Sequence, residues 1–547
     1  MDSKKSPTTL RVLIKSRGFL VLLNGKSPRF FGEFIHSNKK SFLFLLVLII
    51  PVFYRFYQIG SQSYWMDEGF SVNAINLLAE GAEVKLGRTY YLLGMYGYLT
   101  APLVSLFGES AWVYRLIPAI FGSLLVWVIY ALSKTIFDKK IAYFSAFFTA
   151  FSYWQIAWSR QARWYSLLAF FVWLAILFVY KSLYETENRR RNSIISAVSI
   201  ILLAFIHRQG YFSVGLLGLW IFIYFLKNYP KHRWVIILVS LGLGSLVWWV
   251  DIISGTYFIH SAINGSTLGY YLPYYLSFTL KHYWPFLYLS LLALVLVKGR
   301  FKAGLSLILY FFIGHLIFLS FTWQVVSYRY LLVAFPALLI LGTVGVFELS
   351  NIIFSKFKKG FFVKPWGLPL LFVVFFFSVS QGVLVPKDFY TLESDELNPY
   401  FLSKVGTNKP TLLFTPQPDW NKAYDLINKK LHLSSKKENI VISSQPQFNS
   451  IFLNNPGYWL RQSDSGRPQA TYTNDNEQVI EYYSGALAIE GLNNFKKIIG
   501  SNHGYIVFDY LSIGRGDPAV ISYIQANLNQ VFYDKINPYS QVWVYEF

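Results

Sequence analysis

Residues 64–70 read YWMDEGF, and the adjacent carboxylates Asp67 and Glu68 follow the first long apolar run, Phe42 to Phe53. A carboxylate at the mouth of an apolar segment can take the proton of an attacking hydroxyl. It can equally cap the helix suggested by GFSVNAINLLAEG, with Asp67 accepting backbone N–H groups and Glu68 favouring the N-terminal dipole; taken alone, the cap is the commoner use of such a pair. The second group able to do chemistry is cationic. It comprises Lys85, Arg88, Arg115, Arg160 and Arg163 in SRQARWY, His207 with Arg208, and Arg329 in SYRY. Any one of these arginines could simply snorkel from a span end. Together they suit a phosphate held at headgroup depth, which guanidinium groups grip bidentately. Arg160 and Arg163 would share a face if their loop is helical, and Tyr165 and Tyr330 are further substrate-site candidates. The set describes an anion site beside a candidate base.

Such a site needs a scaffold that brings loops far apart in sequence to one surface. The chain has 547 residues, of which 54% are hydrophobic, 20% aromatic and only 14% charged, a balance that fits a polytopic α-helical membrane protein. With no cysteine, disulfides, thiolate metal sites and thiol catalysis are excluded. A divalent metal is left undecided, and no cofactor is required by the residues.

The net charge of +21 does not indicate nucleic acid, because of where it lies. Up to Leu384 there are 35 Lys+Arg against 12 Asp+Glu, and after it 14 against 16. Apolar runs of about 20 residues fall near 41–58, 115–136, 141–158, 164–184, 193–207, 211–226, 234–252, 275–297, 303–321, 330–348 and 366–384, about eleven spans. Placing the N-terminus in the cytoplasm puts 26 of the 35 basic residues on inner segments, as the positive-inside rule asks. Residues 1–40 then form a basic cytoplasmic arm, 41–384 the transmembrane catalytic part, and 385–547 an extracytoplasmic domain. Counting Tyr90–Phe107 as a span would break the alternation, so it is expected as a helix lying in the interface.

After Leu384 the chain turns polar. DWNKAYDLINKKL reads as a helix capped by Asp419, TLLFTP and NIVISS as strands, and the remainder as an α/β domain closing on QVWVYEF, without a Gly-rich phosphate loop. A transporter or lipid flippase would carry mid-membrane charges and matched halves, and neither is visible. A non-catalytic anchor for the outer domain would explain that domain but not the outer arginines.

The order WMDEG, the Tyr-rich helix ending in LFG, YRLIPAIFGSLLVWVIYALSKTIF, AFSYWQIAWSRQARWYSLLAF and SYRYLLVAFPALLIL resembles the GT-C membrane glycosyltransferases that use polyprenyl-phosphate sugars, the protein O-mannosyltransferases and lipid A aminoarabinose transferases. The likeness runs from about Phe42 to Phe347. It implies a GT-C-like fold and a polyprenyl-phosphate sugar donor, with a glycan, lipid or protein acceptor. It also implies that Asp67 is the base acting on the acceptor, with Glu68 as the adjoining acid. The family's proline pair before the interfacial helix and the aspartate that many members carry after SRxA are absent here, the latter replaced by Arg163-Trp164-Tyr165.

Overall fold

A computed structural model of the chain describes residues 39–81, 94–253, 271–297, 299–321, 327–356, 367–379, 382, 419–433, 439–460, 471–481, 483–509, 512–513, 516–534 and 541–547. Met1–Ile50 and Pro51–Phe547 are separate compact units. Of the first, the described residues are helical; the second holds both the helical bundle and the α/β sheet.

The helices are α1 (Lys39–Phe56), α2 (Met66–Ala79), α3 (Gly94–Phe107), α4 (Ala111–Ile136), α5 (Lys139–Phe151), α6 (Tyr153–Ser159), α7 (Tyr165–Tyr184), α8 (Arg189–Ile206), α9 (Arg208–Asn228), α10 (Arg233–Ile253), α11 (Leu272–Leu296), α12 (Lys302–Phe321), α13 (Phe335–Lys356) and α14 (Gly367–Ser378). Six of them, α4, α7, α9 (from Gln209), α11, α12 and α13, are long and apolar enough to cross a membrane. This is an integral membrane protein.

Four expected spans differ in detail. The stretch 141–158 breaks at Ser152, whose ψ of 119° ends α5 before α6 begins. Helix α11 kinks at Tyr283, two residues before Pro285, whose ring cannot continue the hydrogen-bond ladder. Arg329 does not open the α13 helix but sits in a 3-10 turn, Tyr328–Val333, ahead of it. Helix α3, with 14 residues, is about 21 Å long and α14, with 12, about 18 Å, both short of a ~30 Å hydrocarbon core.

Close approach fixes the bundle near the site. A Cβ on Gly122 of α4 would collide with the Ser159 side chain at the end of α6. Helix α7 is nearly enclosed, and its Trp173 Nε1 donates to Val333 O at 2.9 Å, tying it to the turn that carries Arg329.

The C-terminal part starts with α15 (Trp420–Leu433), whose predicted cap holds: Lys422 N donates to Asp419 Oδ1 at 3.2 Å. The strand expected at 411–416 lies outside the described residues. Strands β1 (Asn439–Ser443), β2 (Tyr458–Leu460), β3 (Thr471–Thr473), β4 (Val479–Glu481), β5 (Leu487–Ile489), β6 (His503–Asp509), β7 (Asn529–Asp534) and β8 (Val542–Glu546) form a sheet in the order β3-β4-β5-β2-β1-β6-β8-β7. Its centre, β5-β2-β1-β6, is parallel and its flanks antiparallel. Alternation along β1 and β6 sends Ile442, Ile506 and Phe508 to one face, where Phe495 of α17 (Gly491–Ser501) and Val520, Ile521 and Ile524 of α18 (Pro518–Asn527) close the core. Helix α15 and the short α16 (Gln447–Leu453) supply the buried Trp420, Tyr424 and Phe448.

Candidate active site

Helix α2 starts a turn earlier than its sequence suggests. Trp65 is the N-cap, in extended conformation, and Asp67 and Glu68 lie in the first turn. The alternative in which Asp67 caps this helix does not hold: Glu68 accepts the Trp65 amide at 3.3 Å, the half of a capping box that a residue at N3 performs.

The two acids then part. Glu68 accepts from Arg115 Nε and Nη2 at 2.9 Å each, and from the Ala162 amide at 2.5 Å. Arg115 also donates to Ile59 O (2.9 Å), Gln62 O (2.8 Å) and Ser63 O (3.1 Å). The side chains are 0 and 1% exposed. All five Arg115 N–H groups are taken, so none is left for a phosphate oxygen. Arg115 also stands over the Tyr64 ring at 5.2 Å, whose phenol burial pushes well above its ordinary value, keeping it neutral there. The pair ties the loop before α2, the start of α4 and the loop between α6 and α7 into one knot.

Asp67 faces elsewhere, 17% exposed. Arg329 Nη1 donates to its Oδ2 at 2.7 Å, and Arg163 Nη2 lies 3.8 Å from the same oxygen. Those arginine side chains are 15 and 11% exposed. Arg163 Nη1 donates to Asp67 O at 3.0 Å and to Ser71 Oγ at 2.6 Å, which orients it against α2. The Arg329 guanidinium packs 5.3 Å over Trp65 and 5.4 Å over Tyr330. Around this cluster, Trp65 Nε1, Arg163 Nε and the hydroxyl of the buried Tyr165 have no hydrogen-bond partner among the described residues. The result is one carboxylate between two cations, rimmed by unspent donors.

Arg160 and Arg163 do not share the helical face expected of them, because the loop 160–164 is not helical. Arg160 Nη1 donates to Tyr54 O (2.6 Å) and Tyr57 O (2.7 Å), and Nη2 to Gln58 O (3.3 Å), closing the carboxyl end of α1. His207 is the N-cap of α9, its Nδ1 accepting from Gln209 N at 3.1 Å and its ring stacked 3.4 Å from Trp164. Gln209 Nε2 in turn donates to Tyr330 O at 2.7 Å, which links this cap to the turn carrying Arg329. Lys85, Arg88 and the Arg208 side chain lie outside the described residues. No cluster of three His, Asp or Glu able to hold a metal occurs among the described residues.

Sequence reasoning also passed over the α/β part's contact with the acid turn. Gln447 Nε2 donates to Met66 O at 3.4 Å, Asn421 N to Ser63 Oγ at 3.3 Å, and Asn73 Nδ2 to Tyr483 O at 3.1 Å. Only glycine fits at position 69, where a Cβ would stand 2.7 Å from the Phe448 ring.

Residues 94–248 match the family described as dolichyl-phosphate-mannose-protein mannosyltransferase. Among solved structures, the chain is similar to ArnT from Cupriavidus metallidurans in the apo state, with a TM-score of 0.57 at 13% identity over 93% of this chain and 98% of that one. It is similar also to the same protein bound to undecaprenyl phosphate, with a TM-score of 0.54 at 15% identity and the same coverage. No curated protein sequence matches. The fold is GT-C-like: a mostly helical membrane bundle joined to a C-terminal α/β sheet.

Proposed function

We propose that this chain is a membrane glycosyltransferase that moves a sugar from a polyprenyl-phosphate donor to an acceptor hydroxyl at the extracytoplasmic surface. The observation that carries the reading is the partly exposed Asp67 carboxylate held between Arg329 and Arg163. The family match over 94–248 and the similarity to a protein solved with undecaprenyl phosphate support it.

A lipid phosphate is already a good leaving group, so the reaction needs no general acid on the donor side. It needs cations where phosphate charge grows as the C1–O bond breaks. Arg329 and Arg163 take that part, with Tyr165 O–H as a neutral donor beside them. Asp67 accepts the acceptor's proton while its oxygen attacks C1 from the opposite face, inverting the anomeric centre. An incoming phosphate competes for Arg329, and the exchange frees the Asp67 oxygen for the acceptor. Glu68 and Arg115 hold the turn and touch neither substrate, and Arg160 anchors α1. His207 orients the Trp164 side of the loop. In this reading the amino terminus is cytoplasmic and the α/β part lies outside, because the basic clusters alternate that way.

The test is to supply membrane vesicles with radiolabelled polyprenyl-phosphate sugars and ask whether label leaves the lipid. Retention of label on every donor, by correctly inserted protein given candidate acceptors, rejects the reading.

A further inference from the structure

The carboxyl end of β1 carries a polar loop that the acid and arginine cluster does not explain. Ser444, Gln445 and Gln447 are 2, 3 and 0% exposed, and Ser444 Oγ, Gln445 Nε2 and Gln447 Oε1 have no hydrogen-bond partner among the described residues. Buried polar atoms are ordinarily paired, so three unpaired in four residues call for a reason.

Loose placement is not that reason. Ser443 Oγ accepts from Gln445 N at 3.1 Å and from Tyr424 O–H at 3.2 Å, Ser444 N donates to Val507 O at 3.0 Å, and Gln447 Nε2 donates to Gln445 Oε1 at 3.2 Å. The loop is braced with these atoms left over. Its position is also informative. From β1 the chain passes to β2 and β5 on one side and returns to β6 on the other. In open α/β sheets, ligands sit outside the carboxyl ends of strands at such a reversal. The same loop reaches the first turn of α2, through Gln447 to Met66 O and through Phe448 over Gly69.

We infer that the Ser443–Gln447 loop and the first turn of α2 form a subsite for the acceptor, and that the end it holds is neutral and rich in hydroxyls, a glycan terminus. The inference rests on the transferase reading. The loop offers a hydroxyl and two amides, with no charged side chain, and sugar hydroxyls donate and accept in the same way. A peptide would be expected to pair its main chain with a free sheet edge, and both sides of β1 are already occupied by β2 and β6. Helix α2 covers the loop, so acceptor entry parts the 3.4 Å Gln447–Met66 contact and brings the hydroxyl towards Asp67.

The experiment uses the full-length solubilised protein with neutral methyl glycosides of glucose, mannose and galactose, and separately a Ser/Thr-containing peptide, read by saturation-transfer NMR. Transfer to at least one glycoside is expected, weakened about five- to tenfold in Ser444→Ala and Gln445→Met, the loss of one hydrogen bond each. In the vesicle assay the same variants raise the acceptor KM by that factor without moving the donor KM. If the junction is only structural, Ser444→Ala, which removes an unpaired hydroxyl, leaves the melting temperature equal or higher, Gln445→Met costs only the Gln447 bond that its Oε1 accepts, and glycoside binding is unchanged in both. That result overturns the inference, as does silence towards every glycoside or a peptide response lost in the variants. Glycoside binding needs no lipid donor. A chain that binds glycosides through this loop but releases no label from any donor counts against the transferase reading alone.

Discussion

Arg329 reaches across 262 residues of sequence to place Nη1 2.7 Å from Oδ2 of Asp67. Neither residue is fully buried, whereas one residue along the chain Glu68 and Arg115 are sealed from solvent. Two acids adjacent in sequence therefore have different physics, and substitutions should separate them.

Asp67→Asn keeps shape and removes no cap, because the capping oxygen belongs to Glu68. Turnover with saturating donor should fall by about 10²–10⁴-fold at unchanged membrane insertion. Near-normal turnover would make the carboxylate structural.

Glu68→Gln should act on folding first. It leaves the Arg115 charge buried without its carboxylate, a loss of about 3–5 kcal/mol. Thermal denaturation of purified protein is the measurement. The double variant Glu68→Met with Arg115→Met buries no charge but takes the partners from the carbonyls of Ile59, Gln62 and Ser63 and the amides of Trp65 and Ala162, so it should recover only part of that loss. A single variant as stable as the parent contradicts the knot.

Arg329→Gln and Arg163→Gln should each raise the donor KM by about tenfold or more, the loss of a charge-assisted bond. Lysine at either position should restore only part of this, because an ammonium lacks the planar fork. Donor titrations decide, and unchanged KM in the double Gln variant excludes these residues from the phosphate.

Arg160→Met gives the opposite pattern. It unpins the carbonyls of Tyr54, Tyr57 and Gln58 at the end of α1, at a cost of about 1–2 kcal/mol in thermal stability. The donor KM should hold. A donor KM that rises as steeply as in Arg329→Gln would return Arg160 to the phosphate.

Much of the scaffold was legible because span length and the 3.6-residue period are properties of a segment by itself. The helices expected at 419–431 and in the apolar runs stand on such local signals. What the chain did not disclose are pairings across hundreds of residues. Nothing in SRQARWY distinguishes Arg160, which closes α1, from Arg163, which meets Asp67. The difference arises because the loop leaves helical geometry and the two guanidiniums turn to different neighbours. Strands β2 to β5 were missed for a related reason. β2 to β5 are three residues each, too short for alternation to register; β2 pairs with the longer β1, and β5, β4 and β3 add outward from it in turn.

Gln447 and Met66, which meet at the acid turn, are separated by 381 positions. At about 5–20 residues per second, that interval takes the ribosome roughly 20–75 s. Helix α2 is thus made early and meets the α/β part late, after helices α1 to α14 have been synthesised. Through that interval a nascent chain carries Asp67 on a turn that Glu68 and Arg115 can already hold, but without the α/β part that covers it. A product that stops short of about residue 450 should insert normally and remain inert, so assembly itself keeps an unfinished copy from spending the lipid donor.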